Sequence, residues 1–418
     1  MFNNLNIQKK IVPTLAGFCV LVVAILLRTR PQLFLMAAIL FMVPTVSYVI
    51  GWLMLRGLAC RRTVPSVCGE GETFQVTVEI ENTGQLPKFY LRGRDSLPRA
   101  LRYVREGNSL VVDLWPGEKR QITYFLEAAR RGRYSIGPIR ILTTDPLGFS
   151  RYSNLIREIS EVVVYPSPIP VRRLPLFLSA QGWSGYEGGR LRGGGLDFHS
   201  LREYRYGDEI RRIHWPTSAR TGALVVAEHM QGTSLDVTVA LDMNVEAYRG
   251  TGDDLDSAQD YAVRIAITLC KELMQAGGTV RFLSQDIRAD LGDPVTGTAE
   301  YARLRAALAE VRPVSITTLA EVLATTRGQA PSAQPFLVFI TPDAWNPALQ
   351  DELGAFRSRG GRSYGFALDG SSFRIGGTRA GSSVPIGGGD FVRGGEGLVV
   401  IRKGEDLAAA IEGVANAS

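Results

Sequence analysis

Leu201 to Arg220 reads LREYRYGDEIRRIHWPTSAR, with five arginines, three acids, two tyrosines, a tryptophan and a histidine in twenty residues. His214, Asp208 and Ser218 are the residue types of a hydrolytic triad, in which an imidazole takes the serine proton and a carboxylate orients the ring. Such chemistry also needs an oxyanion site, and no Gly-x-Ser-x-Gly turn surrounds Ser218. His199 and His214 are too far apart for one helical turn and His229 follows in the next strand, so a three-histidine zinc site would require tertiary convergence. Arginines interleaved with Tyr204 and Trp215 could grip phosphates and stack bases, but Glu203, Asp208 and Glu209 would repel those phosphates. Charge pairing remains. Planar arginine–carboxylate forks among Arg202, Asp208, Arg211 and Arg220, with Trp215, would make a brace between domains or a docking surface for a protein partner.

A second group of oxygen donors follows the run SLDVTVALDMN: Asp242, Asn244 and Glu246, with Asp343 after FLVFIT. Acids beyond the carboxyl ends of strands sit where open α/β sheets place ligands, and this donor set suits a hard cation such as Mg²⁺ or Mn²⁺.

These residues need elements to hold them. In the signature, SLREYRY reads as a strand, Gly207 permits a turn, Asp208 caps a helix EIRRIHW that Pro216 stops, and GALVVAEHM begins the next strand. Ile210, Ile213 and Trp215 are expected to point inward. From about 234 to 418, apolar strands alternate with helical patterns. The helix DLDSAQDYAVRIAITLCKELMQAGG places Ala262, Ile265, Ala266 and Leu269 at helical spacing. Alternation of this kind implies a mostly parallel, doubly wound α/β sheet. A glycine-rich stretch at 374–396 reads as a loop insertion. From about 63 to 170, six or seven short alternating runs such as TFQVTVEIEN suggest an antiparallel sandwich of immunoglobulin-like shape, acting as a spacer. Residues 171–233 then form a signature segment between the two domains.

The N-terminus differs from everything after it. Two uncharged runs, about 11–27 and 32–55, flank Arg28 and Arg30, and roughly 20 apolar residues cross a bilayer. A transmembrane hairpin within residues 1–62 is therefore expected, with Pro44 tolerated inside the second helix. Lys9, Lys10, Arg56, Arg61 and Arg62 lie at its outer ends, which places those ends and the soluble domains in the cytoplasm of a bacterial inner membrane. The formal net charge of +6 is concentrated there: the first 62 residues hold seven basic groups and no acid. The remaining chain is near neutral, which argues against a nucleic-acid module. Cys19, Cys60, Cys68 and Cys270 show neither a disulfide framework nor metal-ligand spacing.

The stretch GGLDFHSLREYRYGDEIRRIHWPTSAR, with RRGRYSIGPIRILTTDPLGF upstream, resembles the signature of the bacterial family known as domain of unknown function 58. The resemblance implies a C-terminal domain similar to von Willebrand factor type A, and association with MoxR-type AAA+ ATPases. It implies no established enzymatic activity. Against the Asp-x-Ser-x-Ser ligand motif of type A domains, this chain matches Asp242, Asn244 and Glu246, with both serines replaced, and Asp343 stands for the later aspartate. The threonine of that set falls at Thr296 or Thr298. Within the signature, Arg202, Tyr204, Gly207, Asp208, Arg211, His214, Trp215, Ser218 and Arg220 are the residues expected to matter. The expectation is a membrane-anchored, non-enzymatic scaffold that binds a protein, with neither nucleic acid nor small-molecule substrate. The alternative is a metal-dependent hydrolase using Asp242 and Asp343.

Overall fold

Alternation of apolar and polar residues sets up the first half of the molecule. In β3 (Thr73–Asn82), Phe74, Val76, Val78 and Ile80 are buried while Thr73 and Gln75 face water. In β7 (Lys119–Ala128), Ile122, Tyr124, Leu126 and Ala128 do the same. The computed structural model describes residues 17, 18, 22, 25, 31–104, 110–144, 151–171, 186, 187, 190, 191, 197–204, 213–230, 236–251, 256–276, 278–286, 297–326, 336–374 and 397–412. Chain contacts divide into two units, Met1–Val164 and Tyr165–Ser418.

In the first unit, β1 (Leu58–Thr63), β3, β7 and β5 (Leu101–Tyr103) form one antiparallel sheet in the order β1-β3-β7-β5. A second has the order β10-β9-β4-β6, from β4 (Lys88–Asp95), β6 (Leu110–Leu114), β9 (Ile139–Thr144) and β10 (Arg151–Ile156). A third joins β2 (Val67–Gly69), β11 (Ser160–Tyr165) and β8 (Gly132–Ile136). Leu91, Ile139 and Ile141 of the second sheet share one core with the buried faces of β3 and β7, giving a sandwich-like arrangement. Eleven strands stand among the described residues, against the six or seven expected. The extra ones, such as LACRRT and VCG, are short or lack apolar alternation, so tertiary pairing alone makes them strands. The stretch GRYSIGPIRILTT splits at Gly137-Pro138 into β8 and β9, which join different sheets.

Helix α1 (Pro31–Met54) realises the second expected apolar helix. It runs through Pro44 and contains no charged residue. The first, 11–27, lies outside the described residues apart from Gly17, Phe18, Val22 and Ile25. Among the described residues no helix is long and apolar enough to cross a membrane. Its final turns belong to the first unit. A Cβ on Gly51 would lie 2.0 Å from the Tyr152 ring, so glycine is what lets helix and β10 touch.

The second unit holds two small hairpin sheets, β12 (Tyr186–Glu187) with β13 (Arg190–Leu191), and β14 (Asp197–Glu203) with β15 (Val225–Met230). Helix α2 (Trp215–Thr221) lies between β14 and β15 in sequence. Its main sheet is parallel, in the order β17-β16-β18-β19-β20, from β16 (Asp236–Leu241), β17 (Thr279–Ser284), β18 (Phe336–Thr341), β19 (Arg362–Leu368) and β20 (Gly397–Ile401). Helices cover both faces. Val237, Val239 and Leu241 pack with α3 (Ala258–Gln275), α4 (Thr298–Glu310) and Ile411 of α7 (Leu407–Glu412), whereas Ala240, Leu337 and Phe339 pack with α5 (Leu319–Thr325) and α6 (Pro347–Ser358). Ala262, Ile265, Ala266 and Leu269 of α3 are all buried. Strand β20 was not expected; its five residues follow the glycine-rich stretch and lack the length of a confident strand pattern. The expected loop at 374–396 lies outside the described residues except for Arg374.

Candidate functional site at the carboxyl end of the parallel sheet

Strand β16 delivers Asp242 to the end of the sheet, where its N–H still donates to Ile340 O at 2.9 Å. The carboxylate is buried and surrounded by the protein's own donors. Oδ1 accepts from Asn244 N (3.0 Å) and Gln285 Nε2 (2.8 Å), and Oδ2 accepts from Thr341 Oγ1 (2.6 Å). Gln285 closes the loop by accepting from Met243 N at 2.7 Å, and Thr341 Oγ1 accepts from Asp343 N at 3.0 Å. Burial raises the Asp242 pKa above the ordinary carboxylate value; the three hydrogen bonds oppose that rise and the nearby Asp343 charge adds to it.

The other expected ligands have different work. Asn244 Nδ2 donates to Ile316 O (2.8 Å) and Thr317 O (3.0 Å), while its Oδ1 accepts from Glu246 N (2.7 Å) and Ala247 N (3.2 Å). Glu246 pairs with Arg249 at 2.9 Å on the surface. Asp343 accepts from Asn346 Nδ2 at 3.1 Å, and Asn346 in turn caps α6 through Ala348 N. As arranged, each side chain expected to hold Mg²⁺ or Mn²⁺ has at least one oxygen engaged with an amide, a hydroxyl or an arginine. Among the described residues no group of three or more His, Cys, Asp or Glu is gathered that could hold a metal.

Thr341 and Gln285 were absent from the sequence expectation. Of the two threonines named there, Thr298 is exposed at the start of α4, and Thr296 lies outside the described residues. Thr341 reaches Asp242 because β18 is hydrogen-bonded beside β16. The signal available was position: both Thr341 and Gln285 stand at strand ends, by the rule that singled out Asp242.

Several apolar side chains are exposed in the loops that carry this polar network. Val245 and Ile316 are exposed, the latter at 80 %, and Val245 N donates to Ser315 O at 2.9 Å, joining the two loops. Val314 is exposed beside them, and Trp345, 55 % exposed, stands in the loop between β18 and α6. A capping box at Thr318 and Glu321 starts α5 and so ends the 314–317 loop at this level.

The arginine-rich signature is arranged differently from the expectation. Gly207, Asp208 and Arg211, with Ile210, lie outside the described residues, as does the Arg202 side chain. Tyr204 is half-buried and its N–H donates to Leu224 O at 2.8 Å. Pro216 does not stop a helix; it sits in the first turn of α2, which starts at Trp215. Proline suits that place, because its N–H would be unsatisfied there anyway and its φ is already helical. His214 is the capping residue, its Nδ1 lying 2.9 Å from Thr217 Oγ1. Ile213 is buried as expected, but Trp215 points outward, 59 % exposed. Arg220 is exposed in the last turn.

Ser218 is buried, and its Oγ accepts from Val225 N (2.9 Å) while lying 3.1 Å from His214 O. Serine and histidine meet through the histidine carbonyl, not the ring, so Ser218 fastens α2 to β15. Ser218→Ala should cost about 1–3 kcal/mol by stranding a buried N–H. Urea denaturation measures it, and an unchanged midpoint would contradict this role.

Residues 200–360 match the family described as protein of unknown function DUF58. The uncharacterized protein YeaD of Bacillus subtilis (strain 168) is 26% identical over 181 residues, 41% of this chain and 44% of that protein, so the match spans less than half of that relative. Trypsin-activated alpha-2-macroglobulin from Escherichia coli is similar over 27% of this chain and 7% of that one, at 18% identity and a TM-score of 0.23. The CARDB domain of PF1109 from Pyrococcus furiosus, in complex with di-metal ions, is similar over 26% and 86%, at 18% identity and a TM-score of 0.19. Scores this low carry no functional argument.

Proposed function

We propose that this chain, a member through residues 200–360 of the family described as protein of unknown function DUF58, is a membrane-anchored, non-enzymatic adaptor that binds a protein partner at the carboxyl end of its parallel sheet. The observation that carries this reading is the exposed apolar group of Val245, Val314, Ile316 and Trp345 around a buried polar network whose hydrogen bonds are already made. Exposed apolar surface at a sheet end is costly to keep in water and is characteristic of protein-binding patches. The three donors on the Asp242 carboxylate support binding over hydrolysis, since they take up most of the lone pairs that a base or metal ligand would use.

Within this reading the C-terminal unit is a type A-like domain and the first unit an immunoglobulin-like spacer. α1 is the second arm of a transmembrane hairpin, with the soluble units on the cytoplasmic side of a bacterial inner membrane. Support for the anchor comes from α1 itself: 24 residues without a charge, with Leu35, Met36, Ile39 and Met42 exposed. A helix of that length spans about 36 Å, against a hydrocarbon core of about 30 Å. The partner class proposed is a MoxR-type AAA+ ATPase, on the strength of the family resemblance.

The test uses the full-length protein in cells. Crosslinking followed by affinity capture should recover the ATPase with wild type and lose it with Ile316→Asp or Trp345→Ser, while the thermal midpoint stays unchanged. Equal recovery by both variants would overturn the assignment of this surface.

A further inference from the structure

A second exposed aromatic group lies where α1 ends. Lys88 of β4 is buried, and its Nζ donates to Leu53 O and Arg56 O, both at 2.6 Å. Leu53 O, in the last turn of the helix, also accepts from Arg56 N at 3.2 Å, and Arg56 O lies just beyond the helix, so a strand of the first unit caps this terminus. Burial lowers the Lys88 pKa. The neighbouring Phe89 N donates to Met54 Sδ at 3.4 Å, and Thr83 N donates to Gly57 O at 2.9 Å. Together with the Gly51–Tyr152 approach, these contacts tie the last turn of α1 to this edge of the sheets.

The side chains displayed at that edge are large and apolar or amphipathic. Trp115 is 63 % exposed and stands edge-on to Phe89, with ring centroids 6.3 Å apart. Tyr90 is 59 % exposed, and Leu86 is exposed next to Asn82, whose Nδ2 holds Leu86 O at 2.8 Å. Trp52, in the last turn of α1, is half exposed with the Arg56 guanidinium 3.4 Å above its ring. Tryptophan and tyrosine collect at the headgroup level of membranes because an apolar ring carries a polar handle.

We infer that the edge bearing Leu86, Tyr90 and Trp115 lies in the headgroup layer of the bilayer that α1 enters, its partner being phospholipid. The inference rests on the anchored reading above and adds to it. The patch is continuous with an uncharged helix that itself needs a lipid cover, and the Lys88 cap leaves the helix no flexible linker before the first strand at Leu58. A helix longer than the hydrocarbon core by about 6 Å puts its last turn, and whatever is fastened there, into the interface.

The experiment reconstitutes the full-length chain into phosphatidylcholine–phosphatidylglycerol vesicles with or without a headgroup-nitroxide lipid. Trp52→Phe and Trp115→Phe isolate the two indoles by difference, and matching thermal midpoints verify that both variants fold. Quenching of both the Trp52 and Trp115 contributions is expected, with the quenched signal reduced in each variant. Quenching of Trp52 without Trp115 would overturn this inference and leave the anchor intact, the edge then facing water or protein. Quenching of neither would remove the anchor and the inference together.

Discussion

Arg62→Ala is expected to destabilise the first unit by about 3–5 kcal/mol, the usual result of removing one member of a buried ion pair. Arg62, on β1, and Asp95, at the end of β4, are buried together, and the guanidinium donates to both carboxylate oxygens. Its Nη1 also donates to Ile136 O at 2.7 Å and Glu158 O at 2.9 Å. The Tyr124 hydroxyl donates to Asp95 Oδ2, and Tyr103 reaches Asp95 O at 3.4 Å. Truncating Arg62 would strand a carboxylate and two carbonyls in a region that excludes water. The same surroundings push the Cys60 thiol up to about 12, by burial first and the Asp95 charge second, which makes it a poor nucleophile. Chemical denaturation of the full chain in detergent, followed by near-UV circular dichroism, measures the loss. A cost below about 1 kcal/mol would mean that water reaches the pair in solution, since exposed pairs are worth no more than that. The double change Arg62→Met with Asp95→Leu should recover only the part of the loss that comes from the stranded carboxylate, since Ile136 O and Glu158 O stay without their guanidinium donor.

The second large effect concerns Asp242. Asp242→Ala removes the acceptor for three donors and should cost about 2–4 kcal/mol in the second unit. Asp242→Asn should behave in the opposite sense. Burial raises the folded pKa of Asp242 above its unfolded value of 3.8. Its favourable contribution is therefore complete below that pH and declines as pH rises through the raised folded value. The difference in unfolding free energy, Asp242→Asn minus wild type, should grow with pH over that window, by about 1.4 kcal/mol per pH unit while only the unfolded form is ionised. Urea midpoints at several pH values read it directly. A flat difference would show that the carboxylate ionises freely, and would reopen the case for a cation there.

Much of this architecture was legible in the chain. Period-two alternation located β3 and β7, continuous apolar runs located β16 and β18, and the spacing of Ala262, Ile265, Ala266 and Leu269 located the buried face of α3. Each of these is a local pattern tied to backbone geometry. LACRRT and LRY carry no such pattern and become strands because neighbours offer hydrogen bonds. Pro216, read as a helix stop, stands instead in the first turn of α2, because proline also suits a helix start and the His214 cap sets that start.

Charge followed the same division. The uncharged stretch from Pro31 to Met54 and the placement of Asp242 beyond a strand were written in residue order, since hydropathy and strand ends are local properties. Which arginine would be buried was not. The signature drew attention through density, yet the buried arginines among the described residues, Arg62 and Arg131, lie outside it, and the Asp95 and Ile136 partners of Arg62 lie 33 and 74 residues away. Likewise Thr341 meets Asp242 across 99 residues. Pairing at such separations is created by strand order, which only the folded chain supplies, and it decides whether a polar side chain is a satisfied brace or a free reactive group.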